Sequence, residues 1–490
     1  MRAALFALSL LCWACDDGPA SGPHDDAGGT DQALSDRSLA DTGLAADRGP
    51  SADAGAPTAA PNLVLVVLDD VGPEAVEPWA SRFAADAIVA PTPTLDGLAA
   101  QGVAFETAWA TPTCSPTRIG LHTGAYPSHA GVLGPAARAS TLTPDQPTLP
   151  KLLAAVGYRT GLFGKWHLGG AAGAPVTEGG WHAYAGQPDG ALADYFAWER
   201  TEAHEGGLDS APTTLYATTA VVDDALAWLA TQPAEQPWLV MLAFNAPHTP
   251  LHLPPAVLRP LLPDAALDAD GDGACDADGP CVRAMLHALD TELGRFLAGA
   301  DGLAHGRPTV VVALGDNGTV ASAQQPPFAR PHAKGTLFEG GVRVPLWISG
   351  PPALVPARGV ATGLAHAGVD VFATLLDLGG ATAPADARGI SLRPALADLA
   401  AEPRALLYTD GDHTVRMVTT EGAALRDEVV AALDARRAAL ERYADVLERG
   451  LVEDLELAVA LRAQREAEGG IDTLLGRLQA IRQPENTSPR

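Results

Sequence analysis

Three apolar runs in this chain end in polar groups that could share one site. "NLVLVVLDDVG" sets Asp69 and Asp70 behind the run 63–68, "PWLVMLAFNAPH" ends in His248, and "PTVVVALGDNG" ends in Asp316 and Asn317. Three carboxylates and an amide offer oxygen only, which suits a hard cation, Ca²⁺ or Mg²⁺, better than zinc. Without a metal, clustered carboxylates repel one another and shift their pKa values. Basic groups stand nearby in other motifs: Arg118 in "CSPTR", Lys165 and His167 in "FGKWHLGG", and Lys334 in "HAKGTLFEGG". A dication ringed by Lys, Arg and His describes a site for a tetrahedral oxyanion such as sulfate or phosphate. His122 and His252 read as packing or capping histidines and are left outside this set.

The elements that must position these groups follow from patterning. An unbroken apolar run, unlike an alternating one, suits a strand buried on both faces of a sheet. The runs before Asp69, His248 and Asp316 have this form, as does "VPLWISGP". Helical patterns lie between them: "TLDGLAAQG", "TLPKLLAAVGY", "YATTAVVDDALAWLATQ", "VRAMLHALDTELGRFLAG" and "VDVFATLLDLGG". Alternating strand and helix predicts an α/β fold, a central, mostly parallel sheet sandwiched by helices. In such sheets ligands bind outside the carboxyl ends of the strands, so the polar groups would pool at one edge.

Composition bounds the partners. A formal net charge of -27 over 490 residues argues against nucleic acid and against an anionic membrane surface. It leaves room for an anionic substrate at a locally basic site. Arg2 and "AALFALSLLCWA" fit a signal peptide over residues 1–15, and cleavage before Cys15 would give a lipid-anchored protein of the bacterial cell envelope. Ordinary signal cleavage, with periplasmic or secreted protein, is the alternative. Residues 16–60 are rich in Asp, Ala, Gly, Ser and Pro and read as a disordered tether. Residues 61–400 form the expected catalytic domain. Residues 401–490 form a C-terminal subdomain, in which "ALLYTDGDHTVRMVTTEG" reads as a short hairpin and helical spacing follows from Leu425.

Export implies a compartment where disulfides persist. Cys275 and Cys281 lie close together in a Gly/Asp-rich loop and are expected to pair. Cys12 leaves with the signal and Cys15 becomes the anchor or the new terminus. Cys114 then remains unpaired, which marks it for reactivity or modification.

At this point the chain resembles the type I sulfatases of the alkaline phosphatase superfamily. "CSPTR" matches their Cys-x-Pro-x-Arg motif and "LHTGAYPSHAGV" continues it. "NLVLVVLDDVG", "GYRTGLFGKWHLGG", "FNAPHTP", "GDNGT" and "KGTLFEGGVRVPLWISGP" follow in the family's order, from about Pro61 to about Leu396. The resemblance implies that a separate maturation enzyme oxidises Cys114 to formylglycine, used as its hydrate. One hydroxyl would attack sulfur and expel the alcohol; the other would then lose its proton and eject sulfate. Asp69, Asp70, Asp316 and Asn317 would hold Ca²⁺, with the modified Cys114 as a further ligand. Arg118 would orient the diol, Lys165 and Lys334 would bind sulfate oxygens, and His167 would help deprotonate the diol. Lys334 or His248 would serve as acid at the leaving oxygen.

Two departures stand out. Gly315 replaces the Ser or Thr of many relatives, which reads as a tolerable change at a backbone position. "DADGDGACDADGPC" looks like an insertion, and its Asp268, Asp270 and Asp272 resemble the start of a calcium loop, a candidate second, structural Ca²⁺ site. Gly279 stands where the closing Glu would be expected.

The leading expectation is hydrolysis of a sulfate ester of a small molecule or carbohydrate. A phosphonate monoester or phosphodiester hydrolase of the same superfamily would share these residues. A non-catalytic sulfate- or carbohydrate-binding relic would carry an unmodified Cys114. Asp316→Ala is expected to abolish activity and leave the fold intact.

Overall fold

The computed structural model describes residues 60–83, 88–134, 141–404, 406–411 and 414–419. The expected signal, tether and C-terminal helices lie outside the described residues. No described helix is long and apolar enough to cross a membrane.

The strands are β1 (Asn62–Leu68), β2 (Gly102–Trp109), β3 (Arg159–Lys165), β4 (Ala183–Gln187), β5 (Trp198–His204), β6 (Gly207–Thr213), β7 (Trp238–Ala243), β8 (Thr309–Gly315), β9 (Leu346–Ser349) and β10 (Gly359–His366). They form one sheet in the order β10-β2-β9-β8-β1-β7-β3-β4-β5-β6. Its centre, β8-β1-β7-β3-β4, is parallel throughout. Six helices matter most for the layers: α1 (Pro93–Ala100), α2 (Cys114–Thr123), α3 (Leu149–Ala154), α4 (Ala217–Leu229), α5 (Asp278–Gly302) and α6 (Val369–Gly379).

The unbroken apolar runs serve two cores. In β1, Leu63, Leu65 and Val67 join one cluster with Ile119 of α2, Leu153 of α3 and Phe372 of α6. Val64, Val66 and Leu68 join another with Leu95 of α1, Val222 of α4 and Leu289 of α5. Both sides of the strand therefore need apolar side chains, each contributing about 1.5–3 kcal/mol when fully buried. The start of α1 is closed by α5, since the Asp290 carboxylate accepts the N–H groups of Thr94 and Leu95 at 3.0 and 2.8 Å.

The sheet departs from a simple parallel reading in two places. The run "VPLWISGP" gives β9, which pairs antiparallel with both β8 and β2. Burial on both faces dictates the composition of a strand, and direction leaves no mark on it. At the other end, β5 and β6 add an antiparallel ribbon, and β6 is exposed along most of its length. Such an edge needs no apolar run and gives no strong signal.

The expected hairpin exists as β11 (Leu406–Gly411) and β12 (Thr414–Thr419), paired antiparallel. It is joined to the body: Leu407 packs with Trp109, Val342 and Leu364, and Thr409 Oγ1 donates to the Ala110 carbonyl at 2.7 Å. Just before it, Arg404 Nε donates to Asp370 Oδ2 at 2.8 Å and Nη1 to the Tyr126 hydroxyl at 3.0 Å, and Nη2 meets Asp370 Oδ1. Asp370 also accepts the N–H groups of His366 and Ile390. Arg404→Ala strands this carboxylate in the interior. Urea unfolding should show a loss of about 3–5 kcal/mol, whereas Arg393→Ala, whose partner Asp377 is solvent-exposed, should cost below about 1 kcal/mol. Equal losses would remove the special role given to the Arg404–Asp370 pair.

Glu74, just after β1, provides a second test. It is 1% exposed, Gln324 Nε2 donates to its Oε1 at 2.7 Å, and burial pushes its pKa up to about 7 against the opposing bonds from Thr319 and Gln324. The unfolded chain releases this proton near pH 4.5, while the folded chain keeps it to about pH 7. Folding therefore takes up a proton in that window, so stability is full below pH 4.5 and is lost as pH rises to about 7. Glu74→Gln cannot ionise. It should be more stable than the parent at pH 8 by roughly 3 kcal/mol and equal to it at acid pH, measured as paired urea titrations.

Candidate active site

The parallel block decides where the polar groups go. Neighbouring strands β8, β1, β7 and β3 all run the same way, and their carboxyl ends lead into Asp316, Asp69, Asn245 and Trp166 respectively. β2 runs parallel to them as well, because two antiparallel pairings through β9 separate it from β8. Its end leads through residues 110–113 to Cys114, the first residue of α2. Gly315 stands at the end of β8. A Cβ there would lie 2.3 Å from the Val71 carbonyl oxygen, so glycine is not only tolerated at this backbone position but suits the local packing of this chain.

The edge is dense with charge and almost wholly buried. Lys165 Nζ lies 2.5 Å from Asp69 Oδ2, and Lys334 Nζ lies 2.5 Å from Asp70 Oδ1. Arg118 donates through Nε and Nη2 to Asp316 Oδ2 at 3.0 and 2.7 Å and through Nη1 to the Lys165 carbonyl at 3.1 Å. Asn317 Nδ2 donates to Asp70 Oδ1 at 2.7 Å. Asp70 takes a left-handed φ of 67°, and its N–H donates to Asp316 Oδ1 at 3.3 Å. Asp69, Arg118, Lys165, Asp316 and Asn317 are all 0% exposed.

Each titration follows from this crowding. Burial alone would raise Asp69, but Lys165, His248, Arg118 and Lys334 together hold it well below the usual carboxylate range. Burial, and then the charge of Asp69, pushes Asp316 up to about 6 in spite of Arg118. Burial drives the Cys114 thiol up to about 11, with Lys165 opposing. Burial, followed by Lys165 and Arg118, drives His167 down to about 3.

The donor set fits a hard cation. At this edge the buried oxygens Asp69 Oδ1, Asp70 Oδ2 and Asn317 Oδ1 are without a hydrogen-bond partner. Asp69, Asp70 and His248 offer ligand atoms within 4.8 Å of one another, and so do Asp69, Cys114 and Asp316. An ion with oxygen contacts of roughly 2.3–2.6 Å spans such a group. Asp69 belongs to both groups.

All ten residues named from the sequence gather here. His248 has Nδ1 2.7 Å from the Thr249 carbonyl, which can only accept, so Nδ1 carries the proton. Its Nε2 is 3.9 Å from Asp70 Oδ2. His167 holds a left-handed φ of 57°, and Ser115 Oγ, next to Cys114, donates to its carbonyl at 2.9 Å. His122 is structural: Nδ1 faces the Arg118 carbonyl at 2.8 Å, and Nε2 accepts from Trp181 Nε1 at 3.3 Å. His252 bonds the Tyr216 hydroxyl at 2.9 Å. Two further residues escaped the sequence reading. Asn245, beyond β7, is 6% exposed with its Nδ2 unpartnered, and its place at a strand end could have flagged it. Tyr195 bonds to the carbonyl of His248, and nothing in its sequence surroundings signals this.

The acidic insertion brings two of the three carboxylates expected from the sequence, Asp268 and Asp270, together with Asp276 as a group whose ligand atoms lie within 4.8 Å of one another. Asp268 accepts the N–H groups of Gly271, Asp272 and Gly273. The side chain of Asp272, expected as a ligand, instead accepts the Ala274 N–H. These bonds explain the Asp268 carboxylate as a turn former. Cys275 and Cys281 pair as expected, with Cα atoms 5.6 Å apart, and Cys114 is free and buried.

Comparison with known proteins agrees with this geometry. The family model described as Sulfatase matches residues 61–381. N-acetylgalactosamine-6-sulfatase of Canis lupus familiaris is 29% identical over 399 residues, covering 75% of this chain and 71% of that protein. The arylsulfatase of Klebsiella aerogenes is 29% identical over 212 residues, covering 40% of this chain and 44% of that one. The crystal structure of Ps i-CgsB in complex with k-i-k-neocarrahexaose superposes with a TM-score of 0.62 at 21% identity, covering 83% of this chain and 98% of that one. At that identity the superposition speaks for the fold alone, an alkaline phosphatase-like α/β sandwich. The matched segment carries the whole charged edge, and on it this chain belongs to the sulfatase family and is a sulfuric ester hydrolase.

Proposed function

We propose that the chain hydrolyses a sulfated carbohydrate through formylglycine at position 114 and a Ca²⁺ ion held by Asp69, Asp70, Asp316 and Asn317. The observation that carries this reading is the trio of unpartnered buried oxygens on Asp69, Asp70 and Asn317 beside Cys114. Ca²⁺ bound there would supply positive charge to the transferring sulfate. The thiol itself is a poor nucleophile, because burial raises its pKa where a reactive cysteine needs a lowered one. This favours Cys114 as the precursor of another group. The carbohydrate assignment draws on a relative named for a sulfated amino sugar and on a structural neighbour with a bound neocarrahexaose.

The residues divide the work by position. Arg118 fixes the Asp316 carboxylate and brings positive charge beside position 114. Lys165, held by Asp69, and Lys334, held by Asp70, would bring their charge to sulfate oxygens. His167, neutral at ordinary pH, can take a proton from the group at position 114. His248 suits the acid role better than Lys334. Its Nδ1 is fixed by Thr249, and Nε2 has only a 3.9 Å approach to Asp70, whereas Lys334 Nζ is engaged with Asp70. With His248 in its imidazolium form, protonated at Nε2 as well as at Nδ1, the alcohol oxygen keeps the electron pair as its bond to sulfur breaks and takes the Nε2 proton, leaving the Nδ1–H imidazole. Export, with acylation at Cys15, belongs to the same proposal and gains support from the Cys275–Cys281 bridge.

Mass spectrometry of the peptide containing Cys114, from the native host, tests the modification. The expected product has the aldehyde oxygen in place of the thiol sulfur; a population of unmodified thiol would favour the binding relic. Parallel assays on carbohydrate sulfates, aryl sulfates and phosphonate monoesters should show turnover of the sulfates, led by the carbohydrates. A clear preference for the phosphorus ester would overturn the sulfate reading.

The metal assignment is tested at Asp316, with a revised substitution. Asp316→Ala would leave the buried Arg118 guanidinium without its main partner and so risks the fold, contrary to the expectation from sequence. Asp316→Asn keeps the shape and one acceptor. It should lose bound Ca²⁺ by elemental analysis and at least about a hundredfold in kcat, with an unchanged circular dichroism spectrum. Cys114→Ala should abolish turnover yet retain most of the Ca²⁺. Full activity with full calcium content in Asp316→Asn would refute the site.

A further inference from the structure

The connection between β4 and β5 touches both site histidines. His167 N donates to the Pro188 carbonyl at 3.0 Å. Gly190 lies against the His167 ring, where a Cβ would come within 2.3 Å of Nε2 and 2.5 Å of Cε1. The φ of Gly190 lies outside the left-handed region, so the constraint is the close approach alone. Five residues on, Tyr195 is 1% exposed, and its hydroxyl reaches the carbonyls of Asn245 at 2.8 Å and His248 at 2.7 Å. A hydroxyl has a single proton, so it bridges the two carbonyls that bracket the turn carrying His248. The segment is anchored from behind. Ala217 N donates to the Tyr195 carbonyl at 2.9 Å, and the rings of Tyr195 and His252 lie 4.3 Å apart.

We infer that residues 188–197 are a strap that seats both histidines, with Tyr195 the positioning residue for His248 and Gly190 for His167. The inference rests on the roles proposed above, His248 as acid toward the alcohol and His167 as base in sulfate release. Tyr195 and Gly190 are positioning residues, with no step of the chemistry assigned to them. They act by holding ring nitrogens where a proton can pass, and misplacement by about 1 Å can cost roughly a hundredfold in rate.

Leaving-group dependence separates positioning from general stability. An alcohol that leaves easily, such as 4-nitrophenol, needs little proton donation, whereas a weakly acidic phenol or an alkyl alcohol needs it. The full-length, matured enzyme is assayed on aryl sulfates of graded phenol acidity, as parent, His248→Ala, Tyr195→Phe and Gly190→Ala. Tyr195→Phe keeps the ring and its packing on His252. It should stay within about threefold of the parent on 4-nitrophenyl sulfate and fall roughly 10–100-fold on the poorest leaving group, echoing His248→Ala. Gly190→Ala should keep the parental leaving-group dependence in kcat/KM, which reports the transfer to position 114, and lose it in kcat. It should instead show a burst of nitrophenol equal to the enzyme concentration, followed by slow turnover, because release has become limiting.

If His248→Ala steepens the dependence and Tyr195→Phe does not, the strap falls and the acid role stands. If His248→Ala leaves the dependence unchanged, the acid role fails and takes the Tyr195 inference with it. Parental turnover without a burst in Gly190→Ala overturns the His167 half of the strap.

Discussion

Like charges packed into one buried space must be compensated, and that constraint organises this molecule. Asp69, Asp70 and Asp316 converge at the carboxyl edge of the sheet, with Asp69 and Asp316 fully buried. Water cannot reach them, so the protein supplies the compensation itself through Lys165 on Asp69, Lys334 on Asp70 and Arg118 on Asp316. Carboxylates and cations then alternate in space. The same arrangement serves a reaction in which an anionic sulfate group must be held while negative charge moves onto a departing oxygen.

The sheet makes this compensation possible. Most of the charged groups end or follow a strand or lie near the start of a helix, and Lys334 stands in a turn. The strands that carry them are neighbours in a parallel block. Their apolar residues fill cores on both faces, so the sheet is stabilised independently of what its edge carries. The edge can therefore hold a costly cluster. Strained conformations also gather there, with Asp70 and His167 both at left-handed φ.

Histidines at this edge illustrate how context assigns a role. His122 and His167 lie on segments that both contact Arg118, through its backbone carbonyl and its electrostatic field respectively. His122 spends both ring nitrogens, on the Arg118 carbonyl and on Trp181. His167 keeps Nδ1 without a partner. The first is a packing group and the second can exchange a proton, a difference that residue type alone does not reveal.

The sequence by itself determined the α/β class, the principal buried strands and helices, the C-terminal hairpin, the disulfide and the ten residues of the charged edge. Local rules suffice for the strands and for Asp69, Asp70, His248, Asp316 and Asn317, because an unbroken apolar run must be buried on both faces and polar residues behind it must lie at a strand end. Cys114, Arg118, Lys165, His167 and Lys334 were instead legible through motifs that resemble those of the sulfatases. Tertiary structure alone decided the antiparallel direction of β9, the exposed β5–β6 ribbon and the three-way bonding of Asp268. It also decided that Arg118 serves Asp316, which changes what a substitution there can mean. Tyr195 and Gly190 were illegible for the same reason. Their importance lies in distances to the carbonyl of a residue 53 positions away and to the ring of a residue in another strand's exit. Such distances arise when separate segments pack together, and no pattern within either segment encodes them.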